Sequence, residues 1–334
     1  MFSLEPNRTM TLLVNITETP NNRCIDQKHF DWLFTYRPHY IWIIFVLGII
    51  ENLFVIFVFV LHKSRCTVTE IYLGNLAAAD LIFISSHPFW AIYISKDHWP
   101  FGGIMCAAVG SSFKINLYSR NYLLMMVSIE RYLALVKTMT IGRLRRPWWA
   151  KVNCGIIWMF TAGLNVPTGV FRKEIFNKKF NTTACRTDAP SQNWYVATNI
   201  LMNVLGFFVP LVVTAFCTSR MIQVLRNNLM RQFKKVNTER KATRLVLSVF
   251  LVFIVCCLPY NIYIFIKTLY TLQIFPPCIV KAIRYNVYPI SIYLVYSNSC
   301  INPVIYSMVG NQFRQKAREV YSRLLCKRPD RRTS

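Results

Sequence analysis

Asp80, Lys114, Arg120, Glu130 and Arg131 are ionisable residues set within long apolar runs of this chain. Charged groups in such surroundings are costly and mark function by default. Asp80 sits in Leu76-Ala77-Ala78-Ala79-Asp80-Leu81, where a bundle would bring Asn298, Ser299 and Asn302 close to it. Arg120 lies about two helical turns inward of Lys114 and about three turns outward of Arg131. In Glu130-Arg131-Tyr132 the Glu can hold its neighbouring Arg as an ion pair until a partner separates them. The blander alternative for Glu130 and Arg131 is an interfacial pair that snorkels to water. None of this is catalytic chemistry. The five His (His29, His39, His62, His87, His98) are scattered without metal spacing or a nucleophile–base arrangement, and no glycine-rich phosphate loop is present. The sequence therefore predicts no enzyme, no cofactor and no metal site.

Seven apolar stretches of helix length carry these residues: Tyr40–Leu61, Glu70–Ser95, Ile104–Val136, Trp149–Val170, Trp194–Met221, Leu245–Leu269 and Val287–Val309. Crossing the hydrocarbon core takes roughly 20 helical residues. A backbone in lipid must satisfy its own hydrogen bonds, so each stretch is expected to be α-helical. The expected fold is an all-α membrane protein: an extracellular tail over 1–38, a seven-transmembrane bundle over 39–310, and a short cytoplasmic amphipathic helix with its tail over 311–334. An odd number of spans puts the two termini on opposite sides.

The net charge of +25 would suggest nucleic acid as a partner for a soluble chain. Here no basic stretch sits on a separate foldable unit, which excludes that partner. Lys and Arg outside the spans are in excess on the side holding the C-terminus, which marks the cytoplasm and leaves the N-terminus outside. The glycosylation sequons at Asn7, Asn15 and Asn181 all fall on that outer side. No cleavable signal peptide is evident in 1–38, so membrane targeting falls to the first span.

Cys24, Cys106, Cys185 and Cys278 lie at outer ends of segments, where disulfides persist. A Cys106–Cys185 bridge would pin the second outer loop over the bundle, and a Cys24–Cys278 bridge would tie the tail to the last outer loop. Four cysteines allow three pairings, and spacing alone does not choose among them. Cys326 follows a basic amphipathic stretch and is a palmitoylation candidate, with a free thiol as the alternative. Pro88, Pro167, Pro210, Pro259 and Pro303 fall within spans and supply preferred bending points.

Together, Glu130-Arg131-Tyr132, Asn302-Pro303-Val304-Ile305-Tyr306, Asp80, Trp158 and the Cys106/Cys185 pair resemble the rhodopsin-like G-protein-coupled receptors over roughly residues 35–326. Closer similarity is to the bradykinin (kinin) receptors, above all the type-two members. It rests on the runs Thr69–Leu81, Pro88–Ile92, Tyr132–Met139, Gln223–Asn228 and Tyr296–Cys300. The resemblance implies a plasma-membrane receptor in which an extracellular kinin-like peptide favours an inward-opening bundle. A heterotrimeric G protein of the kind that activates phospholipase C and calcium release would dock inside, with arrestin as a further partner and anionic membrane lipid against the basic inner faces. Ligand-binding candidates are Trp90, Lys114, Arg172, Tyr260, Lys267 and Tyr285. Switch candidates are Asp80, Arg120, Glu130, Arg131, Tyr132, Cys257, Pro259, Asn302, Pro303 and Tyr306.

Several positions depart from the pattern of the family. Lys267 and Tyr285 stand where kinin receptors place acidic residues that meet basic groups of the peptide. Lys114 matches a type-one lysine that receives a C-terminal carboxylate, which implies a kinin shortened by its last arginine or a more acidic peptide; the alternative is a lysine that snorkels outward. Cys256-Cys257-Leu258-Pro259 lacks the usual tryptophan. Arg120 occupies a small-residue position beside Asp80, where its guanidinium is expected to pair with Asp80 and supplant a sodium ion; beside it, Asn121 replaces a branched apolar residue. These departures keep open a decoy or constitutively biased receptor on the same fold. A transporter lined by Asp80, Arg120 and Arg131 is the rival from another class, and the two related halves common in transporters are absent.

Overall fold

The computed structural model describes residues 31–62, 66–136, 146–178, 181–227 and 233–326. The helices are α1 (Asp31–Leu61), α2 (Val68–Ile84), α3 (His87–Lys96), α4 (Gly102–Val136) and α5 (Pro147–Phe171), followed by α6 (Gln192–Asn203), α7 (Val209–Asn227), α8 (Phe233–Thr271), α9 (Pro277–Val309) and α10 (Asn311–Cys326). Strands β1 (Arg172–Asn177) and β2 (Thr182–Thr187) form an antiparallel hairpin between α5 and α6. The architecture is a seven-span bundle. Five spans are apolar enough to be recognised by length and composition alone. The other two, α4 and α9, carry the polar residues that the site uses, and they pack within the same bundle.

Two expected spans are broken, for local reasons. The second divides at Ser85–Ser86 into α2 and α3, because Pro88 has no amide proton to continue the ladder and instead occupies the first turn of α3. The fifth consists of α6 and α7 joined by a π-helical turn, Val204–Phe208, just ahead of Pro210. In that wider turn Gly206 presents its carbonyl to α4, where Asn121 Nδ2 donates to it. The first span starts earlier than the hydropathy suggests, since α1 runs from Asp31 and carries Pro38 inside it.

The interior has two apolar layers. The outer one gathers Trp90, Tyr93, Trp99, Phe113, Tyr260 and Tyr296. The inner one gathers Leu76, Leu123, Val246, Phe253 and Tyr306. Asp80, Asn116, Arg120, Asn298, Ser299 and Asn302 supply buried polar groups to α2, α4 and α9. Large apolar side chains such as Met159, Val212 and Val255 face outward, as expected where lipid is the solvent.

Both ends of the bundle are fastened. On the outside, Cys106 and Cys185 form a disulfide with Cα atoms 5.5 Å apart. Beside it, Trp99 N donates to Thr183 O at 2.8 Å and Thr183 Oγ1 donates back to Trp99 O at 2.6 Å, so the hairpin is stitched to the first outer loop. Cys278 is also disulfide-bonded, while its expected partner Cys24 lies outside the described residues, as do Asn7 and Asn15. Asn181 is exposed in the hairpin turn at φ 51°. On the inside, Thr67 and Glu70 form a capping box at the start of α2. Glu70 also pairs with Lys316 of α10 at 2.8 Å, and His62 meets Glu319 at the same distance. Phe313 packs edge-on against Phe54 and Phe59.

The Cys106–Cys185 bridge closes a 79-residue separation. Replacing both cysteines with Ala is expected to cost about 2–4 kcal/mol. Thermal unfolding of the detergent-solubilised protein checks this, and an unchanged midpoint would contradict it.

Candidate functional site

An outward-opening cavity lies between α4, α5, α6 and the hairpin. It is lined by Gly110, Phe113 and Lys114 of α4, Pro167, Thr168 and Phe171 of α5, Arg172 and Thr187 of the strands, Ala189, and Trp194, Tyr195 and Thr198 of α6. Arg172 opens β1 yet is only 3% exposed. Its guanidinium lies over the Trp90 ring, 5.3 Å from the centroid, and Nε donates to Cys185 Sγ at 3.4 Å. Burial pushes this guanidinium down to about 10, so it keeps its charge at neutral pH.

Gly110 makes that placement possible. A Cβ there would lie 2.2 Å from Arg172 Cδ and 2.3 Å from Nε, so only glycine lets the guanidinium slide against α4. One helical turn inward, Lys114 is 9% exposed and lines the same cavity. Lys267 reaches in from α8 to within 5.6 Å of the Tyr195 ring, and the buried Tyr260 ring meets Phe113 edge-on at 5.5 Å. Trp90, Lys114, Arg172, Tyr260 and Lys267 thus line this region or touch side chains that do. Tyr285 is half-buried on α9 and is not part of the lining. Three cations approach the space, and no carboxylate is among the lining residues. Such a site favours an anionic ligand group.

Deeper in the bundle, Arg120 and Asp80 are buried, at 3% and 0% exposure. Nη1 of Arg120 lies 3.1 Å from Asp80 Oδ1 and also donates to Ser299 Oγ at 3.2 Å, while Nη2 donates to the Asn298 carbonyl at 2.5 Å. Asn116 Nδ2 donates to Asp80 Oδ1 at 2.8 Å, and Asn302 Nδ2 approaches Oδ2 at 3.5 Å. Asn298 Nδ2 in turn donates to the Cys257 thiol at 3.2 Å. One guanidinium therefore ties α2, α4 and α9 together, with α8 attached through Cys257. Pro259 and Pro303 lie inside α8 and α9 close to this layer, and Tyr306 is buried just inward of it.

At the inner end, Arg131 Nε pairs with Glu130 Oε2 at 3.0 Å. Thr69 of α2 joins both, donating to Glu130 Oε2 at 3.0 Å and accepting from Arg131 Nη2. Tyr132 is half-buried, its ring 6.0 Å from Phe216 of α7.

Reasoning from the sequence missed Gly110, Phe113, Thr168, Tyr195, Asn116 and Thr69. Helical spacing signals two of these: Gly110 and Asn116 stand four residues from Lys114 and Arg120 respectively, and so share their faces. The remainder depend on which helices meet.

A buried pair of this kind is costly to break and cheap to replace as a unit. Asp80→Leu alone and Arg120→Leu alone are each expected to destabilise the bundle by about 3–5 kcal/mol, and the double change Asp80→Leu with Arg120→Leu to recover most of that. Thermal unfolding of the four proteins in a double-mutant cycle is the check. Additive losses would contradict the pairing.

Comparison with known proteins adds the family. The profile for "7 transmembrane receptor (rhodopsin family)" matches residues 51–306. The chain is 49% identical over 311 residues to the B2 bradykinin receptor of Cavia porcellus, covering 92% of this chain and 83% of that one. It is 50% identical over 303 residues to the B2 bradykinin receptor of Homo sapiens, covering 90% and 78%. The B1 bradykinin receptor of Tupaia minor is 34% identical over 333 residues, covering 98% and 94%.

Proposed function

The chain belongs to the rhodopsin family of seven-transmembrane receptors, and from that membership we propose that it is a cell-surface receptor for a peptide of the kinin type, coupled to heterotrimeric G proteins. The cation-lined outer cavity carries the reading of the ligand. Lys114 and Arg172 receive the peptide's terminal carboxylate, with Trp90, Tyr260, Lys267 and Tyr285 around it. The peptide is a kinin lacking its last arginine, or an acidic relative of it, because Lys267 and Tyr285 replace the carboxylates that would meet a basic end.

The N-terminus faces the exterior of the plasma membrane, where Asn7, Asn15 and Asn181 accept glycans and Cys24 pairs with Cys278. The basic inner faces and α10, with Cys326 palmitoylated, lie on the anionic inner leaflet. Signalling requires Arg131 to leave Glu130 and Thr69 and meet the G protein, and arrestin uses the same mouth. Tyr132, Asn302, Pro303 and Tyr306 move with that opening, and Cys257 and Pro259 set the bend of α8. A peptide drives the change only by binding the open packing more tightly than the closed one.

The Arg120–Asp80 pair favours a second reading, a receptor of altered or absent signalling, since the cation that joins α2 to α9 is covalently part of α4. Ligand-stimulated nucleotide exchange on purified G protein separates the two readings, because only the first predicts a rise.

Calcium release in cells challenged with intact and shortened kinins tests the proposal directly; silence to both removes the kinin reading. Lys114→Ala is expected to weaken a peptide with a free carboxyl terminus by at least tenfold, about 1.4 kcal/mol, and its amide little. Equal losses for the acid and the amide would release Lys114 from that role. Agonist affinity of the unsubstituted receptor is expected to be indifferent to sodium, and Arg120→Ser to make it fall as sodium is added. A flat sodium response in that variant would remove the proposed substitution of guanidinium for metal ion.

A further inference from the structure

The outer hairpin is a two-stranded sheet, so each strand has one edge that its partner does not use. Three backbone bonds fix which residues face that outer edge. On β2, Thr183 O accepts from Trp99 N at 2.8 Å, so its carbonyl points away from β1. On β1, Arg172 N donates to Thr168 O at the end of α5 and so turns away from β2. Phe171 O, one residue earlier, accepts from Asp188 N at 2.7 Å and points the opposite way. Thr183 stands opposite Phe176, Cys185 opposite Glu174 and Thr187 opposite Arg172. Bonded and non-bonded pairs alternate along an antiparallel ladder. These three are therefore the non-bonded pairs, and Lys173, Ile175 and Asn177 carry the ladder.

The amides and carbonyls of Glu174 and Phe176 are left on the free edge of β1. Among the described residues, none bonds to these four groups from outside the hairpin. The opposite edge, on β2, is taken by Trp99. Phe176 is 55% exposed and Ile175 38%, so this stretch of β1 is open to the exterior. It has no proline and no bulge to turn a neighbour away, and Lys173 is engaged with Asp188 at 3.5 Å. Such a row of donors and acceptors is a template for another extended chain. The edge also starts at the cavity. Arg172 and Thr168, which meet at its first position, both line that cavity, and β1 runs from there to the hairpin turn.

We propose that the peptide ligand, its terminal carboxylate held by Lys114 and Arg172, lays the residues before that terminus along this edge as a third, antiparallel strand. The inference rests on the peptide-receptor reading and deepens it by naming the backbone conformation the site demands. Direction follows from placement, since a chain whose carboxyl end lies at Arg172 runs inward while β1 runs outward. Antiparallel partners exchange two bonds at one residue and none at the next. Glu174 takes both bonds of one ligand residue, and Phe176 takes those of the residue two places earlier, about 7 Å away. Main-chain bonding of this kind supplies affinity without fixing the side chains. Cys185, opposite Glu174, is bonded to α4, so the template is set before the ligand arrives.

Proline separates main chain from side chain in the test. At Glu174 or Phe176 it deletes an outward amide and spares the ladder, because proline is tolerated where a strand's N–H faces away from its partner. The probe is a labelled kinin lacking its last arginine, bound to the full-length receptor in cell membranes. Glu174→Pro is expected to bind it about fivefold more weakly than Glu174→Ala, and Phe176→Pro than Phe176→Ala, since only proline removes the hydrogen bond. Resistance of Cys106 and Cys185 to alkylation reports an intact hairpin. Should a proline variant fail that check, the ligand arm decides. There, N-methylation of each peptide N–H in turn is expected to give losses that alternate with a period of two residues. Equal affinities of the Pro and Ala variants with the hairpin intact, or N-methyl losses without alternation, would overturn the proposal. Absence of binding to the unsubstituted receptor overturns it together with the kinin reading. Calcium release is scored separately. Silence with the alternating losses retained removes the signalling reading and keeps the added strand, and a calcium response with a flat N-methyl series does the reverse.

Discussion

A single guanidinium, Arg120, fixes how the helices of this bundle can move relative to one another. It is buried against Asp80 of α2 while its other donors reach the Ser299 hydroxyl and the Asn298 carbonyl of α9. A charge this deep holds its helices in register, because sliding any one of them strands a bare ion in a medium that cannot solvate it. The rest of the polar layer is arranged to serve that ion. Asn116 shares the Asp80 oxygen, Asn302 approaches the second one, and Asn298 passes the connection to the Cys257 thiol on α8. A diffusible cation in this position would come and go. A side chain can only be re-paired.

The outer and inner ends inherit this constraint differently. Outside, the arginine in β1 and the lysine in α4 are both held under a disulfide-anchored hairpin, and Gly110 supplies the room for the arginine. Inside, Thr69 clamps Glu130 and Arg131 from α2, the same helix that carries Asp80. A displacement of α2 against α4 therefore acts on the buried pair and on the inner clamp together. Coupling of two sites through one rigid element with two packings is the kind of physical linkage that long-range switching needs.

Much of this was legible from residue type and spacing. Long apolar runs set the spans, whereas Arg120 beside Asp80 follows from the family resemblance, which puts a small residue at that position. What stayed hidden has a common cause. The break at Ser85–Ser86 was signalled by Pro88, but a proline says only that the ladder weakens, and it is packing that decides between a kink and a new helix. The π-helical turn at Val204–Phe208 leaves no periodicity signature over five residues. Thr69 and Thr168 read as ordinary helix residues until the neighbouring helices define which face is inside. The start of α1 at Asp31 precedes the apolar run because its early turns are held by the bundle: Leu33 and Arg37 are buried, and the Tyr293 hydroxyl donates to the Leu33 carbonyl at 2.6 Å.

The hairpin over the outer mouth has a kinetic meaning. It is held by a covalent bond to the top of α4 and by a reciprocal pair of hydrogen bonds to Trp99, so it forms a fixed roof rather than a hinged flap. On the proposed reading, a flexible peptide would have to feed its chain end beneath the roof and withdraw along the same path. Dwell time on the receptor becomes a property of that threading, set by how many residues lie past the overhang when the tip is seated.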